Sequence, residues 1–355
     1  MNQISSDKTP VNFFGLRSLI NSRYTNFQKI SCTYYGGVIS AYDQILKRNV
    51  HIRIIENATN CNDSIKGDLN EISLLKHYQH ENILQLYDIE FYKQNKEITM
   101  YIITEPMDTN LESIIRSPQV ITNDHIQFII YQAIRALFYI HSSGVIVGNL
   151  CPRVIEINAN CEVKICNFRL AFGNNKIFWA ENHVYRVNKL FLAPEYFCGA
   201  NYITTKSDIW SIGCIMATLL RRQPLFDSES YLRLIASILE VLGSQEEDDF
   251  FFLSNQANEY IKNLPKTKKI LWNEIFQGAD PAALNFLDKM LVFNPLKRWC
   301  AEKLLKHKYL ETLYDPEYDD IAAKSFLFDY HEETDRKNLK KKLYRLIENH
   351  CIWVN

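Results

Sequence analysis

Reactive side chains are unevenly placed in this 355-residue sequence. The stretch VGNLCPRV, Val147 to Val154, follows the apolar helix end LFYIHSSGVI. It precedes IEINANCEVKICNFRLA, which alternates like two short strands about an Asn turn. A helix, a tight loop and a hairpin form a mount on which some enzymes present catalytic groups. This loop carries no carboxylate, no His and no Lys, so it offers no general base. Its thiol, Cys151, is one of nine scattered Cys (32, 61, 151, 161, 166, 198, 214, 300, 351), none in a C-x-x-C pair. Small buried hydrophobes in a reduced interior account for them better than a disulfide frame or a zinc site. No metal site is expected.

The elements around the loop show what must position it. Residues 1–23 are polar and mixed and read as an extension. From Tyr24 to Tyr101 the pattern is strand-rich, with β-branched runs at Asn49–Ile55 and Ile98–Thr104. One helix interrupts it, SIKGDLNEISLLKHY, with Ile65, Leu69, Ile72 and Leu75 at helical spacing. Beyond EPMDTN helices dominate. One opens at Thr122 or Asn123 and stops at Gly144, and TKSDIWSIGCIMATLLRR and DPAALNFLDKML are others. A small β-rich lobe followed by a large helical lobe predicts a ligand-binding cleft at their junction. The C-terminal ETDRKNLKKKLYRLIENH is amphipathic, with Leu339, Leu343, Leu346 and Ile347 on one face; its lysines read first as a solvated surface and second as a basic docking patch.

Composition narrows the class. Hydrophobic residues are 47% and charged residues 23%, as in ordinary globular proteins, and the net charge is −1. No global field favours nucleic acid or an anionic membrane. The first 25 residues lack an apolar signal core, and the longest apolar run, Ile209–Leu220, is too short to span a bilayer. An intracellular protein, cytoplasmic and/or nuclear, is expected, with no nucleic-acid or membrane partner.

The ordered segments NEISLLKHYQHENIL, ITEPMDTNL, YIHSSGVI, KICNFRLA, LAPEYF, KSDIWSIGCI and FNPLKRW resemble those of a eukaryotic protein kinase. VLGSQEEDD, LDKMLVFNPLKRWCAEKLLKHKYL and YDPEYDD are similar to segments of the mitogen-activated protein (MAP) kinases, in the CMGC group. The resemblance runs from about Tyr24 to the C-terminus. It implies an α+β, two-lobed kinase fold: an N-lobe over 24–104, hinge and C-lobe over 105–320, and a C-terminal extension over 321–355 packing back on the core.

Residue by residue, the resemblance places the family's reaction machinery on unsuitable side chains. The glycine-rich loop is ISCTYYGGV, with Ser31 and Thr33 at the first two glycine positions and only Gly36 matching; it reads as a plain hairpin. The phosphate-contacting Lys is Arg53, and its partner Glu is Glu71, giving an expected Arg53–Glu71 bridge. VGNLCPRV matches HRDLKPxN, so the base is Asn149, the Lys is Cys151, the metal-binding Asn is Val154 and the loop Arg is Gly148. DFG reads Asn167-Phe168-Arg169. The dual phosphorylation site T-x-Y aligns with His183-Val184-Tyr185, and Leu192 replaces the Arg before APE. Residues that hold the frame remain: Glu195 and its expected partner Arg298, and Asp208, which anchors the loop backbone in the family.

The resemblance thus implies a degenerate MAP-kinase-like pseudokinase without phosphotransfer, acting as a scaffold, decoy or allosteric partner in a kinase cascade. Two alternatives stay open: a weakly active atypical serine/threonine kinase, and a metal-independent ATP-binding sensor. No cofactor is required, and ATP without magnesium would use a nucleotide pocket of Ile30, Val38, Arg53, Glu71, Thr104, Glu105 and Met107. Basic docking-motif peptides would meet Asp319 and Asp320, which could equally cap a loop.

Overall fold

The computed structural model describes residues 8–13, 16–33, 36–56, 58, 61–94, 97–173, 187–200, 203–228 and 230–348. The chain forms two units, one comprising 1–79, 84–107 and 328–355, the other 80–83 and 108–327.

The first unit is built on antiparallel strands. A hairpin, β1 (Lys8–Phe13) and β2 (Leu16–Asn21), precedes a five-stranded sheet of β3 (Tyr24–Thr33), β4 (Gly36–Asp43), β5 (Arg48–Ile55), β6 (Leu86–Gln94) and β7 (Glu97–Thr104) in the order β3-β4-β5-β7-β6. Strict alternation in β4 buries Ile39 and Ala41, which join Val50, Ile52, Ile54, Tyr101 and Ile103 in one core. Ile20 and Tyr24 belong to that same core, and Arg23 bridges Asp43 and Asp88 at 2.8 Å each. The end of the sequence-based extension 1–23 is therefore integral to the sheet unit. Between β5 and β6 runs α1 (Asn62–His77), with Ile65, Leu69, Ile72 and Leu75 buried.

The second unit is mostly helical. Short strands β8 (Thr109–Asn110), β9 (Val145–Ile146), β10 (Ile155–Ile157), β11 (Val163–Ile165) and β12 (Phe172–Gly173) pair as β11-β10-β8 and β12-β9. The helices are α2 (Leu111–Arg116), α3 (Asn123–Ser142), α4 (Pro194–Phe197), α5 (Lys206–Arg221), α6 (Tyr231–Leu242), α7 (Asn255–Lys262), α8 (Trp272–Ile275), α9 (Pro281–Met290) and α10 (Ala301–Leu305). Thr122 caps α3 by accepting from the His125 N–H, and Gly144 turns the chain at φ 79°. Residues 80–83 belong here because Ile83 bridges to Ile165 and the Asn82 amide donates to Gln132 and to the Val163 carbonyl.

At Phe328 the chain re-enters the first unit, ending in α11 (Arg336–Glu348). Leu339, Leu343 and Ile347 are buried as α11 packs on α1. The approach is polar: Asn70 Oδ1 accepts from the Tyr330 hydroxyl at 2.9 Å and contacts His331 Nε2 at 2.8 Å, and Lys66 donates to the His331 carbonyl. No helix among the described residues is long and apolar enough to cross a membrane.

Candidate functional site

In the first unit the candidate residues lie on β3, β4, β5, α1, the end of β7 and the segment after it. Val38 pairs across the sheet with Arg53, and Arg53 with Ile102. Arg53 Nη2 meets Glu71 Oε1 at 2.9 Å, with the Glu71 side chain buried and a quarter of the Arg53 side chain exposed. Ile30 is exposed, while Thr104 and Met107 are buried. The Glu105 N–H donates to the Gln85 carbonyl, and its carboxylate accepts from the Gln85 N–H. Gly36 sits at φ 137°, where a Cβ would fall 1.7 Å from the Ile54 carbonyl oxygen. That glycine is demanded by close approach to β5.

In the second unit the loop after β9 is suspended from one carboxylate. Asp208, on the first turn of α5, accepts from the Val147 N–H at 2.9 Å and the Gly148 N–H at 3.0 Å, with His141 Nε2 also 2.9 Å away. Leu150 is buried, and Pro152 starts a 3-10 turn through Val154. Asn149 is half-buried, and its Oδ1 accepts from the Asn188 N–H at 3.3 Å. Cys151 is buried, and burial pushes its thiol above the ordinary range, so it is a poor nucleophile. Val154 is only 5% exposed, and its carbonyl accepts from the Cys166 N–H at 3.1 Å. Asn167 takes a left-handed φ of 70°, with the Arg169 N–H 3.4 Å from its Oδ1. Phe168 is buried, and Arg169 is half-buried without a positive φ.

A second clasp in this unit reaches the start of α5, the helix that carries Asp208. Arg298 grips Glu195 through both terminal guanidinium nitrogens, at 2.8 and 3.2 Å, with both side chains buried. The Ser207 hydroxyl completes the carboxylate shell at 2.6 Å, and Arg298 also donates to the carbonyls of Lys206 and Val292. At the other candidate patch, Asp319 accepts from the Tyr314 hydroxyl at 2.7 Å, and Asp320 is exposed. That bond pushes the Tyr314 phenol up to about 12. Arg135 lies close by, paired with Glu81 and donating to the Tyr318 carbonyl. His183, Val184 and Tyr185 lie outside the described residues.

The protein kinase domain family matches residues 24–310 of this chain. The chain belongs to the protein kinase family. Its relatives place it with the MAP kinases: it is 37% identical over 314 residues to "Mitogen-activated protein kinase 13" of Arabidopsis thaliana, covering 88% of this chain and 86% of that protein. It is 36% identical to "Mitogen-activated protein kinase homolog NTF6" of Nicotiana tabacum, over 90% and 88% respectively. It is 35% identical to "Extracellular signal-regulated kinase 1" of Dictyostelium discoideum, over 93% of this chain and 63% of that longer protein. The β-sheet unit and the helical unit are the two lobes of this MAP-kinase-like fold.

Within that kinase frame, one feature escapes sequence reading. Gly148, at the loop-Arg position, has φ 80°, and a Cβ there would lie 2.9 Å from the Leu170 carbonyl oxygen and from Phe172 Cε1. The residue type alone gives no hint of this; the backbone shows that the loop leaves no room for a side chain at 148. Conversely, Arg169, which the sequence aligns with a glycine, has no positive φ; the left-handed turn falls on Asn167.

Proposed function

We propose that this kinase-family chain is a MAP-kinase-like pseudokinase, a protein partner in a signalling cascade that does not transfer phosphate. The observation that carries this reading is the disposition of the two near-isosteric amides. Asn149 and Asn167 each turn a neutral oxygen onto a main-chain N–H, while Asp208 and the Glu195–Arg298 pair still hold the surrounding backbone. An amide cannot take the proton of an acceptor hydroxyl. The donor set does not fit magnesium: Val154 is apolar and buried, Cys151 carries a protonated thiol, and Asn167 offers one neutral oxygen already near an N–H. The relatives bear the names of kinases; this chain departs from the family's motif at the positions that do the chemistry.

A second, compatible reading is nucleotide binding without metal. The Arg53–Glu71 pair supports it, because it keeps a cation on β5 where the family places its phosphate-contacting Lys. Protein docking is the activity the reading leaves, and Asp319 and Asp320, beside Tyr314 and Tyr318, suit peptides bearing basic residues.

The test is a melting curve of the chain alone, with ATP, and with ATP plus magnesium, run beside label transfer from γ-labelled ATP to a generic protein substrate. The expected result is no transfer and no magnesium-dependent shift. A shift with ATP alone supports the sensor reading. Magnesium-dependent stabilisation together with transfer would sink the pseudokinase.

A further inference from the structure

The outer face of α11 is strongly basic. Arg336, Lys337, Lys340, Lys341, Lys342 and Arg345 stand against the single carboxylate Glu348 in thirteen residues, in a chain whose net charge is −1. Lys342 is paired with Asp329 at 2.6 Å. Among the described residues, Lys337, Lys340, Lys341 and Arg345 have no carboxylate within ion-pair range. A surface hollow of about 550 Å³ opens on this side, lined by Asp335, Arg336, Lys337, Lys340, Lys341 and Tyr344. Asp335, exposed at the helix start, has one carboxylate oxygen engaged there, accepting from the Lys337 N–H at 2.8 Å.

We infer that this face is a docking surface for an acidic peptide segment of a partner protein. Three observations select that occupant. The apolar face of α11 is already buried, through Leu339, Leu343 and Ile347, so the helix has no hydrophobic side left to insert into a lipid surface. Lys337 and Arg345 are about 12 Å apart along the axis at the helical rise, a span of a few extended peptide residues. The positive charge is local: an extended polyanion would meet the rest of a chain that is net negative, whereas a short peptide feels only charges within a Debye length of about 8–10 Å. Tyr344, whose ring lies 6.2 Å from that of Phe91, is fixed at the shoulder of the hollow as an aromatic contact.

The experiment is fluorescence anisotropy of a labelled Glu-rich decapeptide titrated with the full chain at low and physiological salt. Binding is expected at low salt and should weaken as salt rises. The exposed charge reversal Lys337→Glu/Lys341→Glu/Arg345→Glu should weaken it about ten-fold or more without moving the melting temperature. Should that variant not fold, Lys337→Gln/Lys341→Gln/Arg345→Gln must show a smaller loss in the same direction. An equal charge change at Lys262, Lys266 and Lys268 must leave binding unchanged. The inference is overturned by no binding at low salt, or by equal loss in the Lys262 set. It also fails if binding is indifferent to the α11 substitutions, or if these abolish capture by phosphatidylserine vesicles or a DNA duplex and spare the peptide.

Discussion

Two substitutions test how tightly the loop around Asn149 is packed. Gly148→Ala places a Cβ against the Leu170 carbonyl at a left-handed φ, and should cost roughly 1–3 kcal/mol in urea unfolding. An unchanged unfolding midpoint would show that the loop relaxes to admit a side chain at 148. Val154→Asn, one step of any attempt to rebuild a metal site, buries an amide in a pocket shaped for an alkyl group; it should cost about 1–3 kcal/mol and leave magnesium without effect on the melt. The residue types behind the proposed loss of phosphotransfer, Asn149, Val154 and Asn167, are legible in the sequence. It could not announce where their side chains point. That Asn149 accepts from Asn188, or that Asn167 rather than residue 169 carries the left-handed turn, depends on backbone angles that residue type constrains only weakly.

At the scale of elements, periodicity was a good guide. The helix over 64–78 expected from Ile65, Leu69, Ile72 and Leu75 is α1, and the alternating run around Asn158 is the β10–β11 pair. The sequence was silent on which surface receives α11. Its leucines specify an apolar face, and only the fold chooses α1 as the acceptor. Leu343→Ala, fully buried in that contact, should therefore cost about 2–5 kcal/mol. In hydrogen exchange, amides of α1 and α11 should lose protection while those of α5 keep theirs; uniform loss across all three would show that α11 has no local partnership with α1.

For the molecule as a whole, acid is the informative perturbant. His80, half-buried, is pushed down to about 4 by burial, with Arg135 reinforcing the shift; Glu81 and Asp320 oppose it and Lys164 adds to it. Its Nδ1 accepts from the Asn82 N–H at 2.9 Å, which requires that nitrogen to be unprotonated. The unfolded chain, with a His near 6.5, takes the proton first as pH falls. The stability His80 contributes is thus present above about 6.5 and lost on descending toward 4. His80→Gln, which keeps an acceptor, should shrink the fall in stability between pH 7 and pH 5 by roughly 1–2 kcal/mol; an unchanged fall would assign the acid sensitivity elsewhere. One more consequence concerns synthesis. The sheet unit is completed by residues from the last part of the chain, so α1 emerges from the ribosome long before α11. At about 5–20 residues per second, translating the intervening second unit takes on the order of 10–45 s. For that interval the part of α1 on which α11 packs lacks its partner, and the growing chain must stay soluble without that contact.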